Sequence, residues 1–155
     1  MSNDYREFLK LLSCHKVKYV IVGAHAVVAY SRPRATGDLD VLIEISKENA
    51  GKIVTVLKEF GFGSLDLKTD DFCKPGFVIQ LGYEPNRIDI LTSITGVKWA
   101  EIWKNKTRGI FGSSNIPVYF IGEKQLIKNK IATGRDQDLI DVKRLKSVKK
   151  KNKPL

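Results

Sequence analysis

Two aspartates one residue apart open an otherwise apolar run, Gly37-Asp38-Leu39-Asp40-Val41-Leu42-Ile43, about a dozen residues after a Gly23-Ala24 turn. Side chains alternate along a strand, so Asp38 and Asp40 share one face about 7 Å apart, while Leu39, Val41 and Ile43 turn the other way into a core. Carboxylates so placed repel one another unless a cation sits between them. The segment before them, Lys18-Tyr19-Val20-Ile21-Val22-Gly23, predicts a short buried strand that stops at glycine, and Ala24 to Tyr30 predicts a helix. A strand–Gly–helix junction aims free backbone N–H groups and the positive end of the helix dipole at one point, which suits a phosphate.

A third acid has the same setting. Asn86-Arg87-Ile88-Asp89-Ile90-Leu91-Thr92 reads as a strand with Ile88 and Ile90 on one side and Asp89 on the other. Paired beside the Asp38 strand at about 4.8 Å, it would bring a third carboxylate to the first two. Three oxygen ligands with room for water and phosphate oxygens make a hard-cation site for Mg²⁺ or Mn²⁺. In such sites two ions about 4 Å apart clamp the attacking and leaving oxygens of a phosphoryl displacement.

The rest of the chain supplies a frame for that face. Tyr5, Phe8, Leu9 and Leu12 repeat at helical spacing and predict a helix from Asp4 to His15, capped by Ser2 or Asn3. Ser46 reads as the N-cap of a helix from Lys47 to Phe60, with Ile53, Val54, Leu57 and Phe60 as its stripe and Gly61 as its stop. Phe62 to Leu67 reads as an edge strand, and Phe77 to Leu81 pairs with Arg87 to Leu91 as a hairpin. A short helix at 97–106 is expected to bury Trp99 and Trp103, followed by a strand at Ile116 to Phe120 and helices at 123–132 and 136–148. The expected fold class is α/β (α+β): one domain at 1–148 with a mixed sheet and helices mainly on one side, and a basic tail at 149–155.

Composition narrows the classes. The 155 residues suit one domain. No apolar run approaches the roughly 20 residues that span a bilayer, and the start lacks a signal-peptide plan, so the expectation is a cytoplasmic protein with no membrane partner. Cys14 and Cys73 stand far apart, which suggests neither a zinc site nor a disulfide framework. Of the net charge of +10, seven positive charges follow Val142 with no acid among them, leaving +3 for the rest. That tail would supply non-specific phosphate contacts to RNA or DNA, or serve only as a solvated terminus.

The order Gly23-Ala24, Arg34-x-Thr36-x-Asp38-x-Asp40 and a later strand-borne Asp89 resembles the minimal nucleotidyltransferases of the DNA-polymerase-beta superfamily. It is more closely similar to the small prokaryotic branch related to abortive-infection toxin–antitoxin nucleotidyltransferases. The stretch from Leu126 to Asp141 is similar to that branch's helix-Lys, Gly-Arg-x-x-Asp-x-x-Asp signature, and the resemblance covers roughly residues 17 to 145. It implies a nucleotidyltransferase fold, with Asp38, Asp40 and Asp89 as metal ligands and catalytic residues. It also implies that Gly23, Ala24 and Lys130 orient the β- and γ-phosphates, and that Asp138 orients Lys130 or the acceptor hydroxyl. The family's turn is usually Gly-Gly or Gly-Ser, and Ala24 leaves the phosphate grip to backbone N–H groups.

Other residues carry two readings each. Arg34 and Thr36 either touch the nucleotide or brace the acidic face. His25 either meets a phosphate or base, or is structural. Lys128 reads as solvated, Arg135 and Asp141 as a pair along one helix, and Trp99, Trp103 and Tyr83 as core or rim rather than a stacking platform. The resemblance implies transfer of a nucleoside monophosphate (NMP) from a nucleoside triphosphate (NTP), ATP among them, to a hydroxyl of RNA, protein or a small molecule, with pyrophosphate released. The alternatives are a non-catalytic nucleotide- or RNA-binding module, or one subunit of a two-component system with a partner protein.

Overall fold

In the computed structural model, which describes residues 3–32, 36–112 and 115–151, the acid-bearing strands lie at the centre of one mixed sheet. Helix α1 (Asn3–Cys14) leads into β1 (Tyr19–Val22), α2 (Gly23–Tyr30) and β2 (Leu39–Ile43). Helix α3 (Lys47–Glu59) is followed by two 3-10 turns, at Gly63–Leu65 and Thr69–Phe72, and by the hairpin of β3 (Val78–Leu81) and β4 (Ile88–Leu91). The chain then forms α4 (Trp99–Lys104), β5 (Thr107–Phe111), β6 (Ile116–Phe120), α5 (Glu123–Thr133) and α6 (Asp136–Lys151).

The strand order is β3-β4-β2-β1-β6-β5. β1 runs antiparallel to β2 and parallel to β6, whereas β2 runs parallel to β4. Register decides what meets what: Val22 stands opposite Asp40, and Asp40 stands opposite Asp89. All four residues of β1 are buried, and Leu42 is buried along with Leu39, Val41 and Ile43. The centre of the sheet is therefore covered on both faces, in contrast to the expectation of helices mainly on one side.

The apolar stripes do what their spacing predicts. Tyr5, Phe8, Leu9 and Leu12 of α1 and Ile53, Val56 and Leu57 of α3 enter the core. Ser46 Oγ accepts the Asn49 N–H at 3.1 Å, as an N-cap should. Asn49 is itself buried, and its amide group bonds Lys18 N, Lys18 O and Glu44 O, tying α3 to the open end of the β1–β2 pair.

Three local expectations are corrected. Residues 62–67 form no edge strand, because Asp66 adopts a left-handed φ of 50° and the segment closes into 3-10 turns. Strand β5 takes the sheet's far edge instead. Trp99 and Trp103 are half-buried rather than buried: they stack on each other one helical turn apart while Ile102 goes inside. Helix α6 runs to Lys151, past the expected end at Val148. Among the described residues, no helix is long and apolar enough to cross a membrane.

Candidate active site

Gly23 opens α2 directly off β1 with φ +69°, and the Asp40 carboxylate lies where any Cβ on Gly23 would stand. A residue free of both side chain and φ restriction is what this close approach requires. Val22 caps α2 with extended backbone and no side-chain hydrogen bond, so the N–H groups of the Gly23-Ala24-His25 turn meet no capping side chain. The helix start and the Asp40 carboxylate thus share one corner of the sheet.

Charge is concentrated here. Burial first, and then the charges of Asp89 and Asp38, push the Asp40 carboxyl up to about 7, with Lys130 and Arg87 pulling the other way. Asp38 is raised as well, chiefly by burial, and its Oδ1 is buried with no hydrogen-bond partner. Asp89, 8 % exposed, lies across the β2–β4 pair as expected.

Arg87 is the residue that the sequence reading missed. Its Nε stands 2.8 Å from Asp89 Oδ1 and its Nη2 3.2 Å from Asp89 Oδ2, while Nη2 also reaches Asp38 Oδ2 at 2.7 Å. Glu84 lies at 3.4 Å from Nη1. The signal was present, since Arg87 stands two residues before Asp89 at the entry to β4, where extended backbone puts both on one face. Tyr5 braces the same corner: its hydroxyl donates to Gly37 O at 2.9 Å, with Pro85 O and Arg87 O at 3.1 and 3.2 Å.

The α5–α6 corner supplies the cations. Lys130, 7 % exposed, is a buried amine and not a solvated helix lysine. Its Nζ sits 3.1 Å from Asp138 Oδ1 and 3.2 Å from Asp141 Oδ2. Gly134, at φ +66°, ends α5 and lets α6 turn back so that these carboxylates face it. Burial pushes the Asp138 carboxyl up, but hydrogen bonds from Arg135, Thr133 and Lys130 outweigh it and hold the group well below the usual carboxylate range. Arg135 pairs with Asp138 at 2.8 Å, not with Asp141 as expected; Asp141 accepts from Gln137 and faces Lys130. Lys130 and Arg135 both act on Asp40 through their charge.

The remaining candidates divide. Thr36 lies with Gly37 on the approach to Asp38, bordering a cavity of about 600 Å³ that Tyr5, His25, Phe111 and Phe120 also line. His25 Nε2 is 3.2 Å from Gly37 O, and its ring packs against Tyr5 and Phe111. Burial lowers its basicity, which suits a neutral structural imidazole. Lys128 pairs with Glu101 at 3.0 Å on the surface. Arg34 lies outside the described residues.

The donor set suits a hard cation in kind: three carboxylates, one with an unpartnered buried oxygen and one pushed up to about 7 by burial and by the other two acids. Among the described residues, no three His, Cys, Asp or Glu side chains yet converge closely enough to hold an ion. Arg87 engages both oxygens of Asp89 but only Oδ2 of Asp38, so Asp38, through its unpartnered Oδ1, and Asp40 are the pair that fits first.

This constellation has a family. The sequence matches, over residues 4–152, the family described as nucleotidyltransferase of unknown function (DUF6036). The chain belongs to this family. No curated protein sequence matches it. The fold of this DUF6036 member resembles that of a lincosamide antibiotic adenylyltransferase, LnuA, in its lincomycin-bound form. That likeness has a TM-score of 0.58 at 14% identity, over 96% of this chain and 98% of that one. The nucleotidyltransferase-fold protein TM1012 of Thermotoga maritima aligns with a TM-score of 0.56 at 13% identity, over 92% and 90%. An antigenic nucleotidyltransferase-like protein from Paracoccidioides brasiliensis aligns at 0.56 and 15% identity, over 95% and 74%. At these identities the three likenesses carry the fold, which is the nucleotidyltransferase fold expected from the sequence.

Proposed function

We propose that this protein is a metal-dependent nucleotidyltransferase that moves an NMP from an NTP to an acceptor hydroxyl and releases pyrophosphate. The observation that carries the reading is the register Val22–Asp40–Asp89, which sets the phosphate turn and two acids side by side with the Lys130 amine acting on the same carboxylate. Asp38 and Asp40 would hold Mg²⁺ or Mn²⁺, with Asp89 joining when Arg87 turns away. When bound, the ion neutralises phosphate oxygens and makes the acceptor hydroxyl more acidic.

The chain's own residues have separate tasks. The free N–H groups at Gly23 and Ala24 grip phosphate oxygens, and Lys130 places positive charge against the β- and γ-phosphates. Asp138 and Asp141 keep that ammonium in place. Asp89 takes the acceptor proton once Arg87 releases it. The cavity lined by Tyr5, His25, Thr36 and Phe111 admits the acceptor beside Asp38. The triphosphate then lies on the Lys130 side, so the α-phosphorus is presented in line between the two.

One observation favours a second reading, a module that binds nucleotide without turning it over: Arg87 already neutralises Asp38 and Asp89. Incubation with each α-labelled NTP, total RNA and protein, and Mg²⁺ or Mn²⁺ separates the two. Label moved to an acceptor supports transfer and identifies the acceptor class; label bound but never moved supports the module. The toxin–antitoxin setting implied by the sequence resemblance is a proposal of the same kind, tested by whether expression of this chain alone arrests growth.

A further inference from the structure

At the opposite end of β1 from the acids lies a groove that the proposed reaction does not use. Tyr19, at this end, stands opposite Ile43, three residues and roughly 10 Å along the strand from the Val22–Asp40 pair. The groove encloses about 640 Å³. Lys10, Lys16 and Lys18 form one bank and Arg108 the other, and among the described residues no carboxylate lines it. Lys10, Lys16 and Arg108 are exposed, and Lys18 lies 3.7 Å from Glu44 with its Nζ 6.0 Å from the Trp103 ring centroid.

The wall between these banks is aromatic. Tyr119 stands opposite Arg108 in the β5–β6 register, 5.8 Å from Trp103 between ring centroids. Trp103 stacks on Trp99 at 5.4 Å, and Lys106 Nζ lies 3.9 Å over its ring. The aromatic wall is thus fixed in position before any ligand arrives.

We propose that this groove is a second binding site, for single-stranded nucleic acid, with phosphates on Lys10, Lys16, Lys18 and Arg108 and bases resting on the Tyr119–Trp103 wall. Cations flanking a ring-bearing floor is the layout that follows a flexible polynucleotide without reading its sequence. A peptide rich in carboxylates would use the cations and leave the aromatic wall idle. Neither Asp38, Asp40 nor Asp89 lines this groove.

Of the chain's two tryptophans, Trp103 lines this groove and Trp99 stacks on it, so intrinsic fluorescence reads the site. Full-length protein is titrated with a twelve-residue oligouridylate, the matching oligothymidylate, and oligoglutamate of equal length. Both oligonucleotides should quench the tryptophans with an affinity that falls steeply with salt, and oligoglutamate should not. The double variant Lys10→Glu, Arg108→Glu, at two exposed positions, should weaken oligouridylate at least tenfold at low salt and flatten the salt slope by roughly 1.4. Asp40→Asn should leave it unchanged. A 4-thiouridine oligomer crosslinked to wild type should map to the peptides carrying Trp103 and Tyr119, a readout that needs no variant to fold. No quenching, an unaffected double variant, equal quenching by oligoglutamate, or crosslinks confined to residues 149–155 would each overturn the proposal.

Discussion

The Asp40 carboxylate occupies the space that a side chain at Gly23 would need, so the Gly23 turn and the central acid are one structural unit. Gly23→Ala must push that carboxylate aside and hold a non-glycine residue at φ +69°, which costs about 1–3 kcal/mol. We expect a matching fall in urea midpoint and a loss of at least tenfold in affinity for Mn²⁺·NTP by calorimetry. Wild-type affinity in a folded variant would detach the turn from the site.

Arg87 holds Asp38 and Asp89 together, so it competes with any cation for the same oxygens. Arg87→Gln should therefore tighten binding of Mn²⁺ measured without nucleotide. Weaker binding would show instead that the guanidinium helps to assemble the metal site.

Lys130→Ala removes the buried ammonium that Asp138, at 1 % exposure, and Asp141, at 0 %, both face, and leaves Asp138 to Arg135 and Thr133. Breaking a buried ion pair costs about 3–5 kcal/mol when it leaves a charge uncompensated, and the retained partners set the cost here below that range. Below the lowered melting temperature, the variant should raise KM for NTP more than it lowers kcat, because a ground-state grip on the leaving phosphates is lost. Unchanged stability and unchanged KM together would show that Lys130 has no part in the site.

The metal-free protein should show a pH signature at Asp40. Its carboxyl keeps a proton up to about 7 in the folded state, against an ordinary value of 3.8 in the unfolded chain. Between those limits the folded state binds more protons, so this group's contribution to stability falls as pH rises through the window and levels off above it. Asp40→Asn removes the effect. Its stability advantage over wild type, from urea unfolding at pH 5, 6, 7 and 8, should grow toward pH 7 and then flatten at about 2–4 kcal/mol. A constant difference across that range would contradict the shift.

How legible all this was in the sequence depended on which interaction decided each element. A continuous apolar run ending at glycine located β1, and alternation or helical spacing of apolar residues located β2, β4 and α3, because burial selects them. The Asp40–Asp89 pairing followed, since two acid-bearing apolar strands have few other neighbours to choose. Strand β5 did not announce itself: Thr107-Arg108-Gly109-Ile110-Phe111 carries a glycine and an exposed Ile110, and only pairing with β6 makes it a strand. The pairing of Lys130 with Asp141 was equally hidden, because it depends on the angle at which α6 returns past Gly134. Arg87 was legible and was passed over; its place on the Asp89 face follows from counting by two.

The most direct test of the central claim is calorimetric titration of Mn²⁺·NTP into wild type, Asp40→Asn and Asp89→Asn. The account expects tight binding by wild type and at least a tenfold loss in Asp40→Asn. A smaller loss is expected in Asp89→Asn, whose carboxylate Arg87 already engages, with all three proteins folded. Equal affinity in wild type and both variants would contradict it, and would mean that the carboxylates facing Gly23 and Arg87 do not form the nucleotide site.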